Sequence, residues 1–415
     1  MEDVSRRKFM KLTGAATLAA LAFPAGILAG CGSPQTQSTT KVSDKGSAKK
    51  EFVIGVIGAM TGASAQLGNN AKYGTTIAVD EINAKGGING VPIRLVIRDD
   101  EADPTKSLSL ARELVTKEKI DAFIGPTNTT CAKAIQPFLN QNKIIHLNGG
   151  CTGAVLINEK EFPYSFRTHI NDRDQAIFMV KRAVNKGRQK IAMVHDTSAL
   201  GSGAKADMEA AFKQMGKQPA VDCSYNVGDV DMLPVARKIK DAQCDSALFF
   251  TLGVDGAQIS KALEKLDYLP PKIELHGYTS VGQPAYRDLA GSAANGTLVN
   301  TPTKCTYKEN QPLPARQAAL VKAFEDKFGD KVTNEIIFAT AVSFYDCAYI
   351  IKEGVEKNKS YAADQVKAAI ESISNYDGAN SNYKFGPDKH DGNDPSQLSV
   401  GLVTKYTKGL FQLVE

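Results

Sequence analysis

The chain has 415 residues, a formal charge of +5 and 23% charged side chains, the balance of an ordinary soluble globular protein. Part of that excess lies near the N-terminus and no basic stripe follows, which argues against a nucleic-acid partner. Five histidines occur without paired metal-ligand spacing, and there is neither a Gly-x-Ser-x-Gly elbow nor a phosphate-binding loop, so no catalytic motif, metal or cofactor is expected.

The first element is a leader. Arg6 and Arg7 precede an apolar run from about residue 12 to 28, which ends at Leu28-Ala29-Gly30-Cys31. A charged stretch, a short apolar core and a small-residue site read as an export signal over 1–30. The paired arginines resemble the twin-arginine address, and the ending resembles the bacterial lipobox, which makes Cys31 the lipidation site. The alternative is an uncleaved N-terminal anchor. Residues 31–50 are almost devoid of apolar side chains and read as a flexible tether. The expected product is a lipoprotein held outside the cytoplasm, in the periplasm or at the cell surface.

From residue 51 the chain is long enough for two cores. Strand-like and helical segments alternate. Residues 52–57 form a short apolar β-rich run, and Ala71, Gly74, Ile77, Ala78 and Ile82 recur at helical spacing. Lys85 to Gly90 stops that helix. Residues 93–97 are the next strand. Asp103-Pro104 offers an N-cap and a first-turn proline for the next helix. Strands at 121–125 and 143–148 flank a helix at 131–142. After Thr168 the alternation resumes, with strands at 190–195, 220–226, 245–251 and 272–277. The C-terminal part reads as helices at 315–328, 335–356 and 362–374, then strand-like runs at 398–403 and 409–414. Such alternation predicts two doubly wound α/β lobes with parallel sheets.

In open sheets of this kind ligands sit beyond the carboxyl ends of the strands, and two facing lobes enclose a cleft. The loops 58–68, 125–131, 148–153, 196–201, 251–256 and 277–282 are therefore the ones to inspect. Gly125-Pro126-Thr127-Asn128-Thr129-Thr130 joins a strand to a helix and suits an anion at the helix N-terminus. Asn148 to Gly153 offers a second hydroxyl. The plain alternative is that both are turn formers and caps. Asp99-Asp100 reads as a pair that bonds a neighbouring loop. Cys131, Cys151, Cys223, Cys244, Cys305 and Cys347 remain beyond Cys31. Their pairing is not fixed by sequence. Strand-edge position suggests Cys131 with Cys151, leaving Cys223–Cys244 and Cys305–Cys347, with free buried thiols as the alternative.

Gly58-Ala59-Met60-Thr61-Gly62, Gln66-Leu67-Gly68 and above all Ile82-Asn83-Ala84-Lys85-Gly86-Gly87-Ile88-Asn89-Gly90 carry a resemblance. With Asp103-Pro104 and Phe166-Arg167-Thr168, residues 51–415 resemble the type I periplasmic binding proteins for branched-chain amino acids. The resemblance implies a hinge of three crossing strands, a permease and ATPase as partners, and a monomer that closes on a branched-chain or related small amino acid. It implies lobes at 51–168 with 301–380 and 169–300 with 381–415. Thr129 falls where the family has a hydroxyl for the ligand carboxylate, Gly150 where a carbonyl receives the ammonium, and Thr152 where a threonine touches the same head group. Thr127, Asn128 and Cys151 flank them. Leu67, Leu200 and Gly253 stand where the family often has tyrosines, and Thr279, after Tyr278, stands where it has an acid. Asp255 is the candidate substitute for that acid. Without one, the ligand is a carboxylate, amide or urea-like compound lacking a conventional amine. A ligand-sensing receptor of the same fold is a further alternative.

Overall fold

The computed structural model describes residues 49–414, so the leader, Cys31 and nearly all of the tether lie outside it. The first sheet comprises β1 (Phe52–Gly58), β2 (Ile93–Asp99), β3 (Ala122–Ile124), β4 (Ile145–Asn148) and β5 (Ser165–Arg167), all parallel, in the order β2-β1-β3-β4-β5. Parallel neighbours require crossovers. The helices α1 (Ala65–Ala84), α2 (Pro104–Thr116) and α3 (Thr129–Gln141) supply three of them. Every residue of β1 is buried, as a strand covered on both faces should be. Asp103 caps α2 as its sequence indicates, accepting from Thr105 N and Lys106 N.

The chain then crosses to α4 (Asp172–Asn185), β6 (Ile191–Asp196), α5 (Ala199–Gln214), β7 (Val221–Tyr225), α6 (Leu233–Asp241), β8 (Ser246–Phe250), α7 (Gly253–Lys265), β9 (Glu274–Gly277), α8 (Pro284–Ala290), β10 (Leu298–Pro302) and β11 (Thr306–Tyr307). It returns through α9 (Ala315–Phe328), α10 (Val332–Glu335), α11 (Phe338–Asn358) and α12 (Ala363–Glu371). A small ribbon, β12 (Tyr376–Asp377) with β13 (Asn382–Tyr383), precedes the hairpin β14 (Leu398–Thr407) and β15 (Leu410–Leu413). The second sheet runs β11-β15-β14-β10-β9-β8-β6-β7. It is parallel from β10 to β7, and the hairpin joins it antiparallel. The architecture is thus two open α/β lobes, as read from sequence. Among the described residues no helix is long and apolar enough to cross a membrane.

Each sheet has its own core. The first gathers Ile54, Val56, Phe324, Phe338, Phe344 and Ile350, and extends to Tyr383 and Phe385. The second gathers Val194, Phe249, Leu275, Tyr286 and Val299. Helix α11 packs so closely on α1 that a Cβ at Gly74 would stand 1.9 Å from Ala341 O, which only glycine avoids. The helix expected at 335–356 begins at Phe338. Ile337 N bonds Asn70 Oδ1 (3.0 Å) instead of a helical carbonyl.

Two of the crossing segments lie side by side. Arg167 N donates to His390 O (2.9 Å), and Gly392 N donates to Arg167 O (2.9 Å). The Arg167 guanidinium, buried at 2% exposure, pairs with Asp391. The terminal hairpin spans both cores: Leu410 belongs to the first and Phe411 to the second. Tyr406 OH fastens it to Thr333 O (2.7 Å).

The expected disulfides are absent. All six described cysteines are free and buried. Cys151 Sγ donates to Pro126 O (3.1 Å), Cys347 Sγ contacts Thr168 Oγ1 (3.1 Å), and Cys305 Sγ donates to Asn380 Oδ1 (3.3 Å). Each thiol is buried as a small side chain, and burial raises Cys151 to about 12 and Cys131 to about 11.

Candidate functional site

One wall of the site consists of strand tips of the first sheet. After β3 the chain turns at Gly125, whose φ is +107°, and an added Cβ there would meet Ile57 O at 2.3 Å. The turn delivers Thr127, Asn128 and Thr129 to the start of α3. Thr127 Oγ1 accepts from Ala59 N (3.3 Å) and donates to Asn128 Oδ1 (3.3 Å). Asn128 stands at the N-cap without a side-chain cap bond, its amide donating to Ser64 Oγ (3.4 Å) instead. The first N–H groups of α3 therefore have neither an intrahelical acceptor nor a side-chain cap. A helix start of that kind attracts an anion.

The next tip is β4. Asn148 Oδ1 accepts from Gly150 N (3.0 Å) and Cys151 N (2.6 Å), which folds the 148–153 loop back on itself. A Cβ on Gly153 would come within 2.7 Å of Thr129 Cγ2, so this loop lies directly against Thr129. Arg167 Nη1 donates to Thr152 O (3.2 Å) and Gly153 O (2.8 Å), and Asp172 N also donates to Thr152 O (3.0 Å). The two donors bound the first crossing segment, so the loop and that segment are one hydrogen-bonded unit. Asp99 completes this wall as expected, accepting from Met60 N (2.8 Å) and Thr61 Oγ1 (2.6 Å).

The second wall comes from the other sheet. Leu200 lies in the first turn of α5, where Ser198 Oγ accepts from its N–H (3.2 Å). Tyr278 follows β9 and stacks on Phe250, with 4.1 Å between ring centroids. Thr279 N donates to Gln175 Oε1 (3.0 Å), and Ser280 Oγ donates to Thr251 O (2.5 Å).

Between the walls lies a cleft of about 240 Å³. That is below the range for drug-sized ligands and suits a metabolite of a few heavy atoms. Leu67, Thr127, Asn128, Thr129, Gly150, Cys151, Thr152, Leu200, Tyr278 and Thr279 all line it. Gly253 and Asp255 do not. They border an adjoining hollow of about 600 Å³ with Gln66 and Val254, because the first turn of α7 carries them past the cleft and leaves Leu252 at its edge. Asp255 is buried there, which raises its carboxyl, so it does not stand in for the acid expected at Thr279.

Four lining residues lie outside every loop singled out from sequence: His169, Gln283, Ile337 and Thr340. His169 follows directly on Phe166-Arg167-Thr168, a signal that was available. Ile337 and Thr340 arrive from a distant helix start, and nothing local marks them. Among the described residues the lining has no Asp, Glu, Lys or Arg, and burial holds His169 neutral at about 4. Asp172 sits behind Thr152 at 8% exposure, and burial lifts its carboxyl to about 6. Among the described residues no cluster of His, Cys, Asp and Glu is fit for a metal. The arrangement can grip an uncharged or anionic solute through hydroxyls, helix N–H groups and an apolar rim.

Comparison with known proteins agrees with this geometry. Residues 51–400 match the periplasmic binding protein family. The Leu/Ile/Val-binding protein homolog 3 of Brucella melitensis is 27% identical over 360 residues, 86% of this chain and 88% of that protein. The substrate-binding protein LivJ of Streptococcus pneumoniae, solved with isoleucine, superposes with a TM-score of 0.74 at 18% identity, covering 88% of this chain and 99% of its own. A solute-binding protein of Rhodopseudomonas palustris HaA2, solved with p-hydroxybenzoic acid, reaches 0.75 at 22% identity, covering 88% and 96%.

Proposed function

The chain belongs to the periplasmic binding protein family, and from that premise we propose that it is the extracytoplasmic binding component of an ATP-driven importer, taking up a small carboxylate. The observation that carries the reading is the uncapped start of α3 at Thr129, set against the Thr152 loop inside a cleft shared by both sheets. The ligand carboxylate lies on that helix start and on the Thr129 hydroxyl. Its body rests on Leu67, Leu200, Leu252 and Ile337. Loops from the second sheet swing onto the bound solute about the crossing segments, and ligand contacts available only when closed shift the population toward the closed form. A permease then reads that form. In the same reading the twin-arginine leader exports the chain, Cys31 anchors it by lipid, and the folded part acts as a monomer and not as an enzyme.

The lining contains no acid among the described residues. An ammonium buried without an anionic partner costs several kcal/mol, so the solute is an aromatic or aliphatic carboxylate without an amine. A branched-chain amino acid is the second reading, favoured by the Leu/Ile/Val-binding relative. Leucine and 4-methyl-2-oxopentanoate differ chiefly in the amine and separate the two. In calorimetric titration the oxo acid should bind at least about tenfold tighter, a difference of ~1.4 kcal/mol. Tighter binding of leucine would establish the second reading in its place.

A further inference from the structure

His169 and Thr340 touch each other in the cleft lining, and the carboxylate reading uses neither. His169 is buried at 5% exposure and Thr340 at 6%, yet both line the cleft. Burial holds the imidazole neutral, so one ring nitrogen carries a proton and the other a lone pair. Nδ1 lies 3.1 Å from Ile170 O. A carbonyl only accepts, so Nδ1 bears the proton and Nε2 presents the lone pair. Nε2 stands 3.3 Å from Thr340 Oγ1, longer than a good O–H donor bond.

Building on the carboxylate reading above, we propose that His169 and Thr340 form a subsite for a ligand hydroxyl, so that the solute is a hydroxylated carboxylate. A hydroxyl placed between the two donates to His169 Nε2 and accepts from the Thr340 O–H. Each bond then reaches about 2.8 Å. A methyl in the same place leaves the two with only their own long 3.3 Å bond, whereas a hydroxyl replaces it with two shorter ones, and that difference favours the hydroxylated analogue. An ammonium gains little here, because a neutral imidazole and a hydroxyl supply no counter-charge. The carboxylate end and the hydroxyl end of the cleft thus ask for different groups on one small molecule.

The test titrates the full chain with pairs that differ in a hydroxyl: 4-hydroxybenzoate and benzoate, 2-hydroxy-4-methylpentanoate and 4-methylpentanoate, threonine and valine. In at least one pair the hydroxylated member should bind tighter by about tenfold or more. In His169→Phe and Thr340→Val that ratio should shrink toward one. A merely structural role lowers both affinities together and leaves the ratio intact, and such a result in both variants overturns the subsite. Equal binding within every pair by the unaltered protein overturns it too, while leaving the carboxylate reading standing. If no member of any pair binds, both fall.

Discussion

The two walls of the cleft are built differently. On the first sheet Asp99 holds Met60 N, Asp100 holds Ala102 N, Thr127 holds Asn128 and Asn148 holds the loop after it, and the main opening left is the uncapped start of α3. On the second sheet the tips carry buried polar atoms without partners, among them Asp196 Oδ2 and Thr251 Oγ1, and Asp172 Oδ1 on α4 shares that state. The same side exposes Val227, Val230, Leu252 and Val254, against Val155 on the first. Unpartnered buried groups and exposed apolar ones both cost free energy. The first wall is therefore bonded in place before a ligand arrives, with the start of α3 left open toward the cleft, and the second is the half that gains more from a change of conformation. Pre-forming one wall keeps the entropy cost of binding low.

The comparison can be broken most forcefully at Arg167, the guanidinium that fastens the Thr152 loop to the hinge. Asp391→Ala strands that buried charge, and such losses run to about 3–5 kcal/mol. Denaturant unfolding should show a loss of that size. A change below ~1 kcal/mol would mean that the first wall does not depend on the pair.

The next effect concerns pH. Burial raises the Asp172 carboxyl to about 6, above its ordinary value. The folded state then keeps a proton that the unfolded chain releases near pH 4. Stability from this group is full below about pH 4 and is lost as pH rises through about 6, by roughly 2–3 kcal/mol. Asp346, also raised to about 6, adds a slope of the same sign. Comparing Asp172→Asn with the unaltered protein cancels the Asp346 contribution. The variant should gain relative stability between pH 4 and pH 7.5, and an identical difference at both pH values would remove Asp172 from the account.

The smallest effect is the most direct contrast of the walls. Thr129→Ala should weaken carboxylate binding by roughly 1–3 kcal/mol, as expected for a hydrogen bond to a charged group. Thr279→Ala, on the second wall, should cost less than about 0.5 kcal/mol. The reverse order in calorimetry would exchange the parts given to the two walls.

Much of this was legible in the chain itself. Strand runs such as 52–57 and the Asp103-Pro104 cap are local signals, set by burial on both faces and by a side chain reaching its own backbone. The rule that ligands sit beyond strand ends picked out the loops, and the family resemblance picked out within them ten residues that line the cleft. Ile337 and Thr340 were missed because the start of α11 is far from the other lining residues in sequence, and no local pattern encodes that contact. Asp255, offered as a substitute for the acid the resemblance implies at Thr279, borders the adjoining hollow instead, because sequence spacing does not show which way the first turn of α7 faces. The cysteines misled for a related reason. An even count suggests pairs, yet all six described thiols are free and buried.

The hairpin that reaches from one core into the other has a consequence for how the molecule comes into being. Leu410 completes a cluster whose other members begin at Phe52. During synthesis the early residues therefore wait for almost the last ones before their apolar surface is sealed. A nascent chain stopped short of that point holds an open core, and quality control has a window lasting nearly the whole of translation in which to recognise it.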